Sequence, residues 1–329
     1  MSESHPHIVI IGAGQLGSRH LQGLAKIDRS IDISIIDPNQ ESLNISRTRF
    51  QEMPVNELVH SIRYLRSIQL LHDAVTLAII ATNSDVRRTV IEELLIQKQV
   101  RYIILEKVAF QSVEDFQTVI TWLEKNRTKA WVNCPRRMYP YYKNLREKFV
   151  KEKKLVMLVE GGNWGLACNA IHMLDLFAFL CNETNITLDN VGMERKIYQN
   201  KRKGFIELGG KLEAKNSRGD LLMLIDNKES NRPTLLQIVS ENHRYLIFES
   251  MGKAISQHKE NNWEIHEEYF TMPLQSELTY LAVQQILDTG NSNLTHINES
   301  FNFHKPMINV FNDHFSDVTG KKFTKCPIT

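Results

Sequence analysis

The sequence predicts an α/β chain whose first part is a doubly wound parallel sheet. Three observations predict it. Short apolar runs alternate with helical spacing through residues 1–133, a G-x-G-x-x-G turn follows the first run, and the pattern changes to paired alternating strands after Pro135. At 329 residues the chain is too long for one compact core, and it divides into two expected domains, 1–133 and 134–329.

The expected strands of the first domain are 7–12, 32–37, 74–82, 102–107 and 129–134, each a compact apolar run. Between them 16–27, 85–98 and 113–126 carry the three-and-four spacing of helices, and Ser112 with Asp115 marks a helix start. Residues 52–72 fit either state. After Pro135 come a charged helix at 141–153, the glycine-rich EGGNWG, and an apolar helix NAIHMLDLFAFL at 169–180. Hairpin turns follow at NSRGD (216–220), SENH (240–243) and KENN (259–262), and two helices close the chain at 276–289 and 299–315.

Composition narrows the function classes. With 42% hydrophobic residues, 24% charged residues and a formal charge of +2, the chain has no bulk attraction to nucleic acid or membrane. No stretch reaches the ~18 apolar residues of a membrane span, and MSESHPH lacks the basic and apolar segments of a secretory signal. Cys134, Cys168, Cys181 and Cys326 lie far apart with no C-x-x-C, against a zinc ribbon or a disulfide framework. The twelve histidines show no metal spacing. A cytoplasmic protein without a metal, nucleic-acid or membrane partner is expected.

The glycine turn carries the chemistry. Gly12 permits a tight turn, Gly14 lets the backbone approach a pyrophosphate, and Gly17 lets helix and strand pack closely. Gln15 and Leu16 open the helix, whose start presents unpaired N–H groups and a positive dipole end to an anion. Asp37 stands 20 positions after Gly17, at the end of the next strand, where it would accept from ribose hydroxyls and repel a 2'-phosphate. NAD is therefore the expected cofactor, with NADP open through Arg47 or Arg49. Ligands of such sheets lie beyond the carboxyl ends of the strands, which here carry Thr82, Asn83 and Ser84, and Glu106 with Lys107. In the apolar helix, His172 and Asp175 are the ionisable groups, and each needs a partner or a role.

GAGQLGSRH with Arg19 and His20, ATNSD, Glu106-Lys107, Arg137-Met138-Tyr139-Pro140, His172 with Asp175, and QSELTYLAVQQILDTG resemble, in order and spacing, one family over nearly the full length. It is the glucose-fructose oxidoreductase, inositol dehydrogenase and MocA family of NAD(P)-dependent sugar oxidoreductases. The resemblance implies a Rossmann domain followed by an α/β domain on a large open mixed, mostly antiparallel sheet. That sheet's free face commonly packs on another subunit, so a dimer or tetramer is implied. It also implies hydride transfer between a nicotinamide and a hydroxyl or carbonyl carbon of a sugar or sugar derivative, with His172 moving the hydroxyl proton and Lys107 steadying the alkoxide. Val108 stands where the family usually has proline, and Cys168 where it usually has an aspartate. Asn169 or Asp175 would then orient the histidine or hold a sugar hydroxyl. Trp164 is the expected platform for a sugar face, and Arg136, Arg137 and Tyr139 suit polar groups of a phosphorylated, nucleotide-linked, amino or acidic sugar. Two other readings stay open: an NAD-using glycosidase of the same fold, and a non-catalytic dinucleotide-binding or sensing protein.

Overall fold

A computed structural model describes residues 5–329. The chain runs His7–Ile11 (β1), Gln15–Leu24 (α1), Ile31–Ile36 (β2), Gln40–Gln51 (α2), Val59–Leu65 (β3), Ala74–Ile80 (β4), Ser84–Gln97 (α3) and Gln99–Leu105 (β5). It continues through Val113–Lys125 (α4), Lys129–Val132 (β6), Pro140–Phe149 (α5), Leu155–Gly162 (β7), Leu166–Cys181 (α6), Ile186–Asp189 (β8), Tyr198–Gln199 (β9) and Ile206–Glu207 (β10). Gly210–Asn216 (β11), Leu221–Asn227 (β12), Leu235–Ser240 (β13), His243–Phe248 (β14), Lys253–His258 (β15) and His266–Tyr269 (β16) complete the strands of the second part. Gln275–Thr289 (α7), Thr295–His296 (β17) and Ile297–Thr319 (α8) close the chain.

Two compact units result. The first comprises Met1–Phe110, Glu114–Pro135 and Pro273–Asn298. Its sheet has the order β17-β6-β5-β4-β1-β2-β3, parallel except for β17. The four inner residues of β1, Ile8 to Ile11, are at most 4% exposed, which explains the unbroken apolar run of a strand covered on both faces. The order in which strands are added reverses between β1 and β4, which are themselves parallel, and the crevice at their carboxyl ends is where such a sheet binds ligands.

The expectation of a single boundary at 133 omits the return of Pro273–Asn298 to the first unit. There α7 packs on α1 at Gly23, where a Cβ would lie 2.7 Å from Thr279 Cβ, and β17 pairs with β6. Apolar spacing announces a buried face but not the element that covers it. Helix α2 was not among the expected helices because its buried stripe is only Leu43 and Ser46; the Asn39 side chain starts it by accepting from Glu41 N and Ser42 N. Residues 52–72 hold β3 and a single 3-10 turn.

The second unit comprises Gln111–Val113, Arg136–Met272 and Glu299–Thr329. Its eight-stranded sheet runs β16-β15-β14-β13-β7-β12-β11-β8, antiparallel except for the pair β7 and β12. Helix α6 lies on β7 and β12, and α5 packs on α6. On the opposite face of the sheet the register brings Met223, Leu158, Gln237, Leu246 and Ile255 into one row across five strands, all partly exposed. Among the described residues no helix is long and apolar enough to cross a membrane, and no cluster of three metal-ligating side chains occurs.

Candidate active site

The turn after β1 has the geometry its glycines predict. Gly12 has φ +100°, and a Cβ there would meet the Ala81 carbonyl carbon at 2.9 Å and Thr82 N at 3.0 Å, so turn and β4 loop touch. A Cβ on Gly17 would lie 1.7 Å from Gly12 O. Gly14 is the opposite case: nothing lies within 4 Å of its Cβ position, it is exposed, and α1 begins there without a side-chain cap. Gln15 is exposed and Leu16 half-buried beside it. At the end of β2 the Asp37 carboxylate accepts from Ala13 N (2.8 Å) and Asn39 N (2.9 Å), joining the turn to the start of α2. Arg47 lies over the Tyr64 ring at 4.5 Å and Arg49 donates to Ser18 Oγ (2.6 Å), so both have partners within the unit. Open space at Gly14, uncapped N–H donors and a carboxylate at the next strand end fit a dinucleotide.

Thr82 Oγ1, just beyond β4, is buried and has no hydrogen-bond partner among the described residues, and Asn83 opens α3. Arg87, 1% exposed, is a residue that motif reading missed. It donates to Thr82 O, Val108 O and Ala109 O (2.8 Å to the last) and so ties the loop after β4 to the loop after β5. The only sequence signal was a charge on the inner side of an expected helix.

The Glu106 carboxylate is buried, 3% exposed. It meets His20 Nε2 (2.8 Å) and accepts from Asn133 Nδ2 (2.5 Å); Asn133 also donates to Gln275 Oε1 (3.0 Å), and Thr279 Oγ1 closes the ring onto His20 Nδ1 (2.9 Å). Burial pushes the Glu106 carboxyl up, yet the hydrogen bond and charge of His20, with Asn133 and Arg87, hold it below the usual carboxylate range. Its neighbour Lys107 is half-buried between Glu106 and Val108, and the Lys107–Val108 peptide is cis.

In the second unit, α6 follows Gly165 at φ +84° and ends at Asn182 in the left-handed region. Thirteen of its 16 residues are buried; the other three are Asn169, His172 and Phe179. Asn169 and His172, three apart, are therefore the helix's one polar edge. The first turn is capped from within. Asp226 accepts from Trp164 N (3.2 Å), Gly165 N (3.0 Å) and Leu166 N (3.1 Å), and Glu207 Oε2 from Ala167 N (3.0 Å). An anionic ligand would find those donors taken. Trp164 is half-buried, its Nε1 donating to Ile225 O (2.8 Å), and Asn169 Nδ2 donates to Trp164 O (2.7 Å).

Arg137, Asp175 and Cys168, expected at the substrate, are buried within the unit. Arg137 makes a two-pronged bond to Asp175 (2.9 and 2.8 Å) and reaches Glu299 on α8 (3.1 Å); Asp175 is 0% exposed. Arg136 pairs likewise with Glu249 (2.8 and 2.7 Å). Buried charges close on each other because an unpaired one costs several kcal/mol, roughly, in desolvation. Cys168, 5% exposed, contacts Asn200 Nδ2 at 3.4 Å.

Residues 7–134 match the family model described as "Oxidoreductase family, NAD-binding Rossmann fold". No curated protein sequence matches the chain. Among solved structures, the UDP-N-acetylglucosamine 3-dehydrogenase GnnA from Acidithiobacillus ferrooxidans is similar, with TM-score 0.69 and 14% identity over 93% of this chain and 96% of that one. An oxidoreductase from Agrobacterium radiobacter, in complex with NAD+, L-tartaric acid and magnesium, has TM-score 0.70 and 15% identity over 98% of each chain. A super-repressor mutant of Gal80p from Saccharomyces cerevisiae has TM-score 0.72 and 9% identity over 95% of this chain and 97% of that one. At these identities the likeness is one of fold.

Proposed function

We propose that the chain, whose residues 7–134 match the Gfo/Idh/MocA family model, is an NAD-dependent dehydrogenase interconverting a hydroxyl and a carbonyl on a sugar or sugar derivative. The observation that carries this reading is the open, uncapped turn at Gly14 beside a strand-end carboxylate at Asp37. Asp37 favours NAD over NADP, since Arg47 and Arg49 are engaged elsewhere. Gly12, Gly14, Gln15, Leu16 and Gly17 would hold the pyrophosphate, and Thr82 and Asn83 the ribose and nicotinamide side. NAD supplies the hydride acceptor when bound.

The chain's own groups then handle the proton. His172, on the polar edge of α6, takes the hydroxyl proton, an imidazole being the side chain whose ordinary pKa suits that task. Lys107 is proposed to stabilise the negative charge that grows on the alkoxide. Asn169 and Trp164 contact the sugar. The internal pairing of Arg136 and Arg137 argues against a phosphate or carboxylate held by those two arginines, and so for hydroxyl and amide groups as the recognised features. The dehydrogenase acting on UDP-N-acetylglucosamine, similar in fold, makes amino sugars the first class to try. The four cysteines are buried and in the thiol form.

The test is absorbance at the reduced nicotinamide band with NAD+ and a panel of free, amino and nucleotide-linked sugars. Lys107→Ala and His172→Ala should each lower turnover by about 10²–10⁴-fold, with the NAD dissociation constant changed by less than about threefold. Unchanged turnover in both variants would sink the assignment. NAD binding without turnover on any sugar would favour the second reading, a non-catalytic dinucleotide binder, to which the thiol at Cys168 lends support.

We also propose a homo-oligomer joined through the partly exposed sheet row Met223, Leu158, Leu246 and Ile255. Leu158→Glu with Leu246→Glu should shift the sedimentation coefficient to that of a monomer. A monomeric wild type refutes the interface.

A further inference from the structure

Glu207 is a buried carboxylate that no motif singled out. It comes from the short β9–β10 hairpin, which lies against α6. It is 5% exposed; Oε2 accepts from Ala167 N (3.0 Å) and Oε1 from Asn200 Nδ2 (3.1 Å). The same Nδ2 lies 3.4 Å from Cys168 Sγ, so carboxylate and thiol share one donor and are at most about 6.5 Å apart. A Cβ on Gly165 would meet Asn169 Nδ2 at 3.1 Å and Glu207 Oε1 at 3.2 Å, so the carboxylate and the amide of the polar edge flank Gly165 and are at most about 6.3 Å apart. Cys326 belongs to the same cluster: burial, then Cys168 and Glu207, push its thiol well above the usual value.

The electrostatics of that first turn are already settled by Asp226 and Glu207, both on its positive end. A third carboxylate at position 168 would be buried next to Glu207 with one amide donor to share, a like-charge arrangement that disfavours ionisation of both. A thiol of similar size carries no such cost. Here Glu207 reaches from a different element to the place where a helix carboxylate was expected.

We propose that Glu207 is a positioning residue of the proposed sugar site: delivered by the β9–β10 hairpin, it supplies the acidic group expected at Cys168, holds Asn169 through the Gly165–Ala167 turn, and requires position 168 to be uncharged. The functional half rests on the dehydrogenase reading above; the electrostatic half does not.

The experiment uses the full chain as wild type, Cys168→Asp, Cys168→Asn, Glu207→Gln and the Cys168→Asp/Glu207→Gln pair. In denaturant titrations Cys168→Asp should lower the folding constant by about tenfold or more in the wild-type background and by less than about threefold in the Glu207→Gln background. Cys168→Asn, of nearly the same shape but neutral, should stay within about threefold of wild type, which separates charge from fit. With the sugar that wild type oxidises, Glu207→Gln should raise KM about tenfold, leave kcat and NAD affinity within about threefold, and be rescued in the double variant. Equal stability penalties for Cys168→Asp in the two backgrounds overturn the proposal, as does a KM unmoved by Glu207→Gln. If wild type oxidises no sugar, the dehydrogenase reading falls, while the stability comparison still decides whether Glu207 excludes a charge at 168.

Discussion

Replacing Asp175 by alanine should destabilise the second unit by about 3–5 kcal/mol, the cost of stranding a buried charge whose partner has been removed. Asp175 is 0% exposed, and Arg137, 7% exposed, meets it with two parallel hydrogen bonds. Without the carboxylate, Arg137 keeps Glu299, which is partly exposed, and its stacking over the Phe179 ring, neither of which replaces a buried two-pronged ion pair. Burial by itself would lower the Arg137 pKa, and the Asp175 and Glu299 carboxylates more than restore it, so the guanidinium stays charged and must be solvated or paired. The converse sharpens the point. Arg137→Met combined with Asp175→Leu removes both charges at similar volume and should cost less than Asp175→Ala alone. Urea titrations followed by far-ultraviolet circular dichroism measure both. A double variant as unstable as the single one would mean that packing around α6, not the charge pair, holds Asp175 in place.

A methyl group at Gly17 should cost about 3 kcal/mol or more, because its position lies 1.7 Å from Gly12 O and 2.8 Å from Gly12 C, and backbone cannot yield as a side chain can. Gly14→Ala is the informative contrast. Its Cβ position has nothing within 4 Å and its φ of −66° suits any residue, so the protein should fold with an unchanged melting temperature. NAD affinity should nonetheless fall by about tenfold or more, since the added carbon occupies the space the pyrophosphate is proposed to enter. Melting curves and cofactor fluorescence titration separate the two effects. A Gly14→Ala variant that binds NAD like wild type would remove the observation on which the functional reading chiefly rests.

The parallel sheet was legible because its signals are local. Each strand buried on both faces is an unbroken apolar run, as in Ile8 to Ile11, and each hairpin turn carries its own Asn, Gly or Ser chemistry, as at Asn216 and Ser240. The glycine spacing likewise implied both the tight turn at Gly12 and the close approach at Gly17. The weakly amphipathic α2 left no comparable trace, since only Leu43 and Ser46 are buried along its length. Of the site, the polar edge of α6 was half legible. His172 and Asp175 stood out as ionisable groups in an apolar run, but one is partly open and the other is sealed against Arg137.

Residue types and their spacing thus sufficed for most of the parallel sheet, the nucleotide turn, and His172 and Asp175 as ionisable groups in a buried helix. The partners of those groups came from elsewhere in the chain. Glu106 closes on His20 and Asn133, Arg87 joins two strand-end loops, α7 returns to lie on α1, and Glu207 reaches the start of α6 at Ala167 from 40 positions further along the chain. Periodicity reports that a face is buried or that a charge needs compensation, since both follow from local geometry and the cost of desolvation. It carries no information on which distant segment provides the cover or the counter-charge, and those choices are made only when the whole chain packs.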